Sequence, residues 1–544
     1  MCMGNHSAWT KRKINGTTFW FAGDLDVAAT LAGLPTGPDV TARAASIVQN
    51  ADTLFAVIAD RPDGILAATD PCRSHPIFIA QETKPPGRMF MGGDARATRD
   101  AAGKYTFNSE AVREAAMAGF VTGPNTLVEG LHQLDPGTVT FVPADGSVIS
   151  HHRAFVYSPM ASSADTVNLG EQLNHVIDMA MDRVLSAAGD SPIWVPLSGG
   201  LDSRLILARL VSSGASNLKA FSYGPRGNPD AEVARTVADH LGVEWRFVDT
   251  PGRDIRAFFN GPARRDFWTF ADGLSSTPNN QDLIPLVHLR EKGLLPDDAM
   301  IVNGQTGDFI SGGHVPEFLF DVPLTVDQLL NAIVDRHYSL WRSLRNTANI
   351  DAAKNRVRAV LELDSTPETM LDRNAAIALW ERFEFEGRQA KYIVNGQRSY
   401  DYLGLRWALP LWDGAMVRFW RDTPVALKRD QRLYRETLKT WDPTGVFSKP
   451  MRAVTAWSRP IAAALLPISI ATRLIAGRAR RDRWITYARY LDRFGSHYQA
   501  FGWRHFAKHA PDARNPHAYY ARAWLNDLGA AWPGTTDPGD TAGP

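Results

Sequence analysis

An α/β protein, with an antiparallel front part and a parallel-sheet back part, is what this sequence predicts, on three observations. Short apolar runs separated by turn signals fill the chain up to about residue 150. Helical spacing takes over from residue 168. A strand, a glycine turn, a helix and a second strand then follow one another over 192–222. Strand alternating with helix implies parallel strands joined by a right-handed crossover. With 544 residues the chain exceeds one ordinary core, and domains are expected over 1–155, 165–445 and 446–544.

The front part justifies its strands one by one. Phe19–Ala22, Thr53–Ala59, Gly64–Ala68, Pro76–Ala80 and Thr138–Val142 are short, apolar and rich in aromatic and β-branched residues. Asp60-Arg-Pro-Asp-Gly64 is a hairpin turn between two of them. Helices are expected to be few, the first at Val40–Asn50. In the back part Leu169–Ala188 carries Leu173, Val176, Ile177 and Met181 on one helical face. Pro192–Leu197 reads as a buried strand, Ser203–Ser212 as a helix and Leu218–Ser222 as the next strand. Beyond residue 320 the pattern is mostly helical, and the last dozen residues have the Gly, Pro, Thr and Asp content of a frayed tail.

Composition excludes several classes of function. A hydrophobic fraction of 44% excludes wholesale disorder, and 59 basic against 58 acidic residues leave no global field to hold nucleic acid. Two cysteines, Cys2 and Cys72, are too few for a disulfide scaffold or a zinc cluster, so a cytoplasmic protein is expected. No apolar run reaches the roughly 20 residues of a membrane span. The nearest, Ile461–Ala471, is broken by Pro467 and followed by five arginines between Arg473 and Arg483. Such a pattern suits either contact with a membrane surface or, the reading preferred here, a buried helix with a solvated end.

The chemistry is concentrated in Leu197-Ser-Gly-Gly-Leu-Asp-Ser203, which leaves a buried strand and opens a helix. Unpaired backbone N–H groups converge there and the helix end adds positive potential, so a phosphate chain fits. Gly199 and Gly200 admit a close approach that a Cβ would block. Ser198 and Ser203 offer hydroxyl donors. Asp202 would repel phosphate directly, and its useful role is to hold Mg²⁺ against the nucleotide.

Ser-Gly-Gly-Leu-Asp-Ser after a strand resembles the pyrophosphate-binding loop of the asparagine synthetase family, a group of ATP pyrophosphatase enzymes. The likeness continues along the chain. Phe221-Ser-Tyr-Gly224 is similar to the strand whose backbone meets adenine, and Asn303-Gly-Gln-Thr-Gly-Asp-Phe309 to the segment that closes over the acyl-adenylate. Pro410-Leu-Trp-Asp413 and Leu433-Tyr-Arg-Glu436 resemble two further stretches of the family. The resemblance implies an Ntn-hydrolase-like α+β front domain of class II glutamine amidotransferase type. Behind it would come an adenine nucleotide α-hydrolase (PP-loop) synthetase domain and a helical C-terminal part.

It also implies a mechanism: a carboxylate attacks the α-phosphate of ATP, pyrophosphate leaves, and an amine or ammonia then displaces AMP. Leu197, Ser198, Gly199, Gly200, Asp202, Ser203, Phe221, Ser222 and Gly304 would bind ATP. Asp202 and Asp308 would hold Mg²⁺. The substrate would be a small-molecule, sugar-acid or peptide carboxylate. Amidation in surface-polysaccharide biosynthesis is the leading function, with a lasso-peptide-type macrolactam cyclase and an ATP-binding scaffold as alternatives.

Several positions depart from the family pattern. The chain opens Met1-Cys2-Met3-Gly4, close to the start that exposes a nucleophilic cysteine. The Arg clamp and the Asn-Gly-Glu segment of a working glutaminase do not occur between Cys2 and the Phe55 strand. That predicts a shortened, inactive glutaminase-like domain with Cys2 as a remnant. Gln305 stands for a glutamate and Gln431 for a lysine, leaving Lys428 and Arg432 as the nearest cations. Arg432 is the expected electrostatic contributor to the amine step. Arg406 replaces an acid. Arg388, Lys391, Asn395 and Arg398 fall on one face of a presumed α-helix, either solvated or turned to the ATP cleft. His314 is a weaker candidate.

Overall fold

The computed structural model describes residues 1–2, 8–83, 87–146, 148–159, 168–280, 282–321, 323–447, 467, 470–471, 500–509 and 511–533. The apolar run from Ile461 and its arginine flank lie almost entirely outside the described residues, as does most of the terminal tail.

The front part holds an antiparallel sheet ordered β1 (Thr10–Ile14), β2 (Thr17–Gly23), β3 (Phe55–Arg61), β4 (Gly64–Thr69), β8 (Thr138–Pro143) and β9 (Ser150–Arg153). The expected hairpin joins β3 to β4, with Arg61 opposite Gly64. Alternation along β3 makes two faces. Phe55, Val57 and Ala59 pack beneath helices α1 (Leu25–Ala32) and α2 (Val40–Asn50). Ala56 and Ile58 instead meet a second sheet of β5 (Phe78–Gln81), β6 (Met89–Gly92) and β7 (Leu131–Gln133). The far face of that sheet is covered by α3 (Ala95–Ala102). Two elements correct the sequence reading. The first helix is α1, started by Asp24, whose carboxylate accepts from the Val27 N–H at 3.0 Å. β1 is an edge strand whose Lys and Arg residues hid it among loops.

The back part centres on a parallel sheet in the order β12 (Glu244–Asp249), β11 (Leu218–Gly224), β10 (Ile193–Pro196), β13 (Met300–Val302) and the strand Arg406–Ala408. Helix α5 (Leu169–Ala188) buries Leu173, Ile177 and Met181 against it, together with α6 (Leu201–Ser212). From β10 the chain runs outward through β11 and β12, then returns to place β13 on the other side. The loop after β10 therefore sits at the switch of strand order, where open α/β sheets open a crevice. A third core joins α4 (Ser109–Ala118) of the front part to helices Val326–His337, Arg373–Glu384 and Pro516–Asp527.

The turn 70–75 ties the two parts together. The buried Asp70 carboxylate accepts from the N–H groups of Phe55 and Cys72 at 3.0 and 2.7 Å. Burial outweighs these bonds and pushes its pKa up to about 6. Arg73 takes a left-handed φ of 52° and donates to the carbonyls of Leu134 and Ala390 at 3.2 and 3.1 Å. Arg398 reaches back to the Ser74 carbonyl at 3.1 Å. The expected cationic face is thus not one surface: Lys391 and Arg398 are buried away from the cleft, while Arg388, 31% exposed, turns to Glu384. Its segment winds as a π-helix over Phe385–Ile393 and a 3₁₀ turn over Val394–Gln397, which breaks the 3.6-residue phase. Lys391 is buried, donating to the Val121 carbonyl at 3.0 Å. Among the described residues no helix is long and apolar enough to cross a membrane.

Candidate active site

Helix α6 starts at Gly200 without a side-chain cap, so its first N–H groups face the crevice. The loop before it is braced from within. Ser203 Oγ accepts from the Ser198 N–H and meets Ser198 Oγ, both at 3.0 Å, and Ser198 Oγ accepts from the Gly200 N–H at 3.2 Å. Arg204, buried beneath, donates to the Gly199 carbonyl at 3.0 Å. A Cβ on Gly199 would stand 3.0 Å from Asp230 Oδ1.

The turn after β13 closes on this loop. The Asp308 N–H donates to Asp202 Oδ2 at 2.9 Å, and Tyr434 donates its hydroxyl to Asp202 Oδ1 at 2.8 Å. Cβ atoms on Gly304 and Gly307 would lie 2.8 Å from the Asp202 carbonyl carbon and 2.7 Å from its Cγ, so both glycines are needed for the approach. Burial, then the charge of Asp308, push the Asp202 carboxyl up to about 7 despite those hydrogen bonds.

The cleft is lined by Leu197, Ser198, Gly200, Asp202 and Ser203 from the loop, Ser222 and Tyr223 from β11, and Asn303, Gly304 and Gln305 after β13. Asp230 and Asp282 also face it. Asp282 is held by the hydroxyls of Tyr223 and Tyr400 at 2.6 and 2.5 Å. Among the described lining residues there is no Lys, Arg or His. A polyanion enters such a cleft only with cations of its own.

Most of the expected site residues are brought together here, with one correction. The Phe221 ring is buried against Trp194 and its carbonyl accepts from the Leu197 N–H at 2.8 Å, while Ser222 and Tyr223 of the same strand line the cleft. Arg432 is not at the site. Its side chain is 63% exposed and pairs with Glu436 at 3.1 Å along its own helix. The left-handed Asp430 and Gln431, φ 53° and 57°, reset the chain just before that helix and turn Arg432 to solvent.

Nor does Lys428 take the missing lysine's place: its ammonium is buried against Glu381 and Tyr157 at 2.8 and 3.0 Å. Gln431 donates to Ser311 Oγ at 2.7 Å. Gln305 accepts from Gln397 at 2.6 Å. Arg406 lies at the far end of the sheet, donating to the Ala187 carbonyl at 2.7 Å, so its exchange for an acid is structural.

Sequence reasoning underrated His314. Its Nε2 lies 3.1 Å from Asp308 Oδ2 and its Nδ1 2.5 Å from Glu384 Oε1. Burial works against the imidazolium, but the hydrogen bonds and charges of Asp308 and Glu384 prevail and raise it to about 9. Tyr434 sits inside a motif the sequence displayed, whereas nothing local signals Glu384.

Comparison with known proteins bears on this arrangement. The family model described as asparagine synthase matches residues 172–524. Asparagine synthetase [glutamine-hydrolyzing] 1 of Bacillus subtilis (strain 168) is 25% identical over 194 residues, 35% of this chain and 29% of that protein. Asparagine synthetase [glutamine-hydrolyzing] of Triphysaria versicolor is 30% identical over 136 residues, 23% of this chain and 22% of that protein. The chain thus covers less than a third of either relative. Among solved structures, the glutamine phosphoribosylpyrophosphate amidotransferase from B. subtilis complexed with ADP and GMP aligns at 12% identity over 43% of this chain and 72% of that chain. Its TM-score of 0.18 carries no argument about the fold. The family model covers well over half of the sequence, including both turns that meet at Asp202, and the chain belongs to the asparagine synthase family.

Proposed function

We propose that this chain is an ATP-dependent carbon–nitrogen ligase that adenylates a substrate carboxylate and passes the acyl group to an amine or ammonia. One observation carries the reading: the Asp308 N–H bonded to Asp202, which joins the loop after β10 to the turn after β13 at the switch of strand order. The α6 N–H groups and the Ser198 and Ser203 hydroxyls suit a triphosphate. Asp202 and Asp308 would hold Mg²⁺, which when bound neutralises charge on the departing pyrophosphate. The donor set fits that ion. Asp202 lies close enough to Asp308 to feel its charge, giving two hard oxygen ligands that nucleotide phosphates and water would complete.

In the first step a carboxylate oxygen of the substrate bonds to the α-phosphorus and the bond to the β-phosphate oxygen breaks. In the second, the amine nitrogen bonds to the acyl carbon, the bond from that carbon to the phosphate oxygen breaks so that AMP leaves, and the amine's surplus proton passes to water. Gln305, a neutral amide, takes no proton in that step. We place the substrate among sugar-acid and peptide carboxylates, with amidation in surface-polysaccharide biosynthesis as the leading role. The front part is read as a shortened Ntn-type, glutaminase-like domain. Two free cysteines suit a reducing cytoplasm.

ATP–pyrophosphate exchange over aspartate, uronic acids and acidic peptides tests the reading. Exchange supported by at least one acid is expected. Tight ATP binding with no exchange for any acid would leave a scaffold, not a ligase.

A further inference from the structure

Three side chains run in one hydrogen-bonded line from the core to Asp308, whose N–H is bonded to Asp202 at the edge of the cleft. Glu384 is 1% exposed, His314 17% and Asp308 59%. The inner end is fixed: Glu384 Oε1 also accepts from Gln389 Nε2 at 3.1 Å and Arg388 Nη1 at 3.4 Å. The middle is fixed as well, since the Trp380 indole donates to the His314 carbonyl at 3.3 Å and the Phe309 ring meets the imidazole edge-on at 5.7 Å.

The backbone is shaped for this line. On a regular α-helix, residues six apart lie about 120° apart around the axis and do not meet. Here the chain turns as a π-helix over Phe309–Gly313, with Gly312 at φ 99°. A Cβ on Gly312 would fall 2.3 Å from the Lys428 carbonyl oxygen, and one on Gly313 2.7 Å from the Asp308 carbonyl oxygen. Only two glycines let the turn fold back far enough for His314 to reach the Asp308 side chain. The second Asp308 oxygen accepts from the Phe309 N–H at 2.8 Å. Both oxygens of a mostly exposed carboxylate are therefore held, and its rotamer is set from the core.

We infer that Glu384 and His314 form a strut that fixes the Asp308 carboxylate beside Asp202 at the edge of the cleft, which makes His314 a positioning residue for the cation that Asp308 and Asp202 hold. The inference rests on reading those two aspartates as the cation-holding pair. Partners of this kind, one shell behind a metal ligand, typically contribute 10–100-fold to metal affinity by fixing the ligand's direction.

The test uses the full chain with a non-hydrolysable α,β-methylene ATP analogue and Mn²⁺, whose dissociation constant is read by electron paramagnetic resonance. His314→Ala should weaken Mn²⁺ binding by about tenfold or more. His314→Gln, whose amide N–H can reach Asp308, should stay within about threefold of wild type, a rescue that a general packing role would not give. Glu384→Gln should follow His314→Ala. If it fails to fold, the Ala and Gln variants at 314 decide alone. Mn²⁺ affinity unchanged in His314→Ala, or equally lost in Ala and Gln, overturns the strut. If Asp202→Asn and Asp308→Asn also leave Mn²⁺ binding unchanged, the cation-holding pair itself is wrong and both ideas fall.

Discussion

The Asp308 backbone N–H and the Asp202 carboxylate, 2.9 Å apart, join two turns separated by 106 residues of chain. The bond has an energetic consequence. Asp202 is half-buried at the edge of the cleft beside a second carboxylate, and burial with that neighbouring charge raises its pKa to about 7, so folding makes its ionisation costly. Such a site is poor for stability and good for capturing a cation.

Loss of that charge should separate activity from stability. Asp202→Asn is expected to lower pyrophosphate exchange by about 10²-fold or more, and Ser198→Ala by a similar factor. The folded Asp202 binds its proton more tightly than the unfolded chain does, so its ionisation costs stability as pH rises from about 4 to 7. Asp202→Asn removes that cost, and the ligand-free variant should melt above wild type at pH 8. Exchange within a few-fold of wild type in both variants would remove the loop from the chemistry.

Arg432 should be dispensable. It stands in solvent beside Glu436, a geometry whose contribution is typically below about 1 kcal/mol. Arg432→Ala is expected to leave amide formation within about twofold of wild type and stability within about 0.5 kcal/mol. Gln431→Lys would place an ammonium beside Ser311 and the Asp308 carbonyl, 2.7 and 3.4 Å from the present amide nitrogen. A change in rate there, with none at Arg432, would locate the position that matters.

What the sequence displayed and what it concealed divide along a physical line. The phosphate loop was legible because its parts are contiguous: glycines, hydroxyls and the carboxylate all fall within seven residues of one strand end. Helix α5 was legible to the residue because its apolar period is regular. The His314–Glu384 contact was not, because 70 residues separate partners that meet only in space. The Arg388–Arg398 face misled because a 3.6-residue period was applied to a segment that winds more loosely. Arg432 misled in the same way: two left-handed residues before its helix reset a phase that the sequence could not show.

Glutamine should not be a nitrogen donor through Cys2. Its N–H donates to the Met91 carbonyl at 2.8 Å and its carbonyl accepts from Asp94, so the residue is tied by its backbone to β6. Burial is the leading influence on the thiol and raises its pKa, away from the activated range of nucleophilic cysteines. Purified protein is expected to release no glutamate from glutamine, and Cys2→Ala to form amide from ammonia as wild type does. Glutamate release that vanishes in Cys2→Ala would restore a glutamine-dependent enzyme.

The pair at the root of the strut should also be visible in stability against pH. Burial opposes ionisation of both partners. Their mutual hydrogen bond nevertheless holds Glu384 down at about 2 and, with Asp308, lifts His314 to about 9. For a histidine whose folded pKa is raised, the added stability is complete below its unfolded value of 6.5 and disappears as pH rises through 9. For a glutamate whose folded pKa is lowered, it is complete above 4.5 and disappears as pH falls through 2. The contribution therefore peaks between about pH 5 and 6.5. A histidine shift from 6.5 to about 9 sets its ceiling near 3 kcal/mol. Lys391, pushed down to about 7, titrates nearby, so the useful quantity is the difference between wild type and His314→Gln, in which Lys391 cancels; Asp202 does not, because the His314 charge lowers its pKa and that influence goes with the imidazolium. Denaturant midpoints should differ most near pH 6 and converge by pH 9.5. A difference that stays constant across that range would mean that His314 is uncharged in the folded protein, and that its contact with Glu384 is an ordinary neutral hydrogen bond.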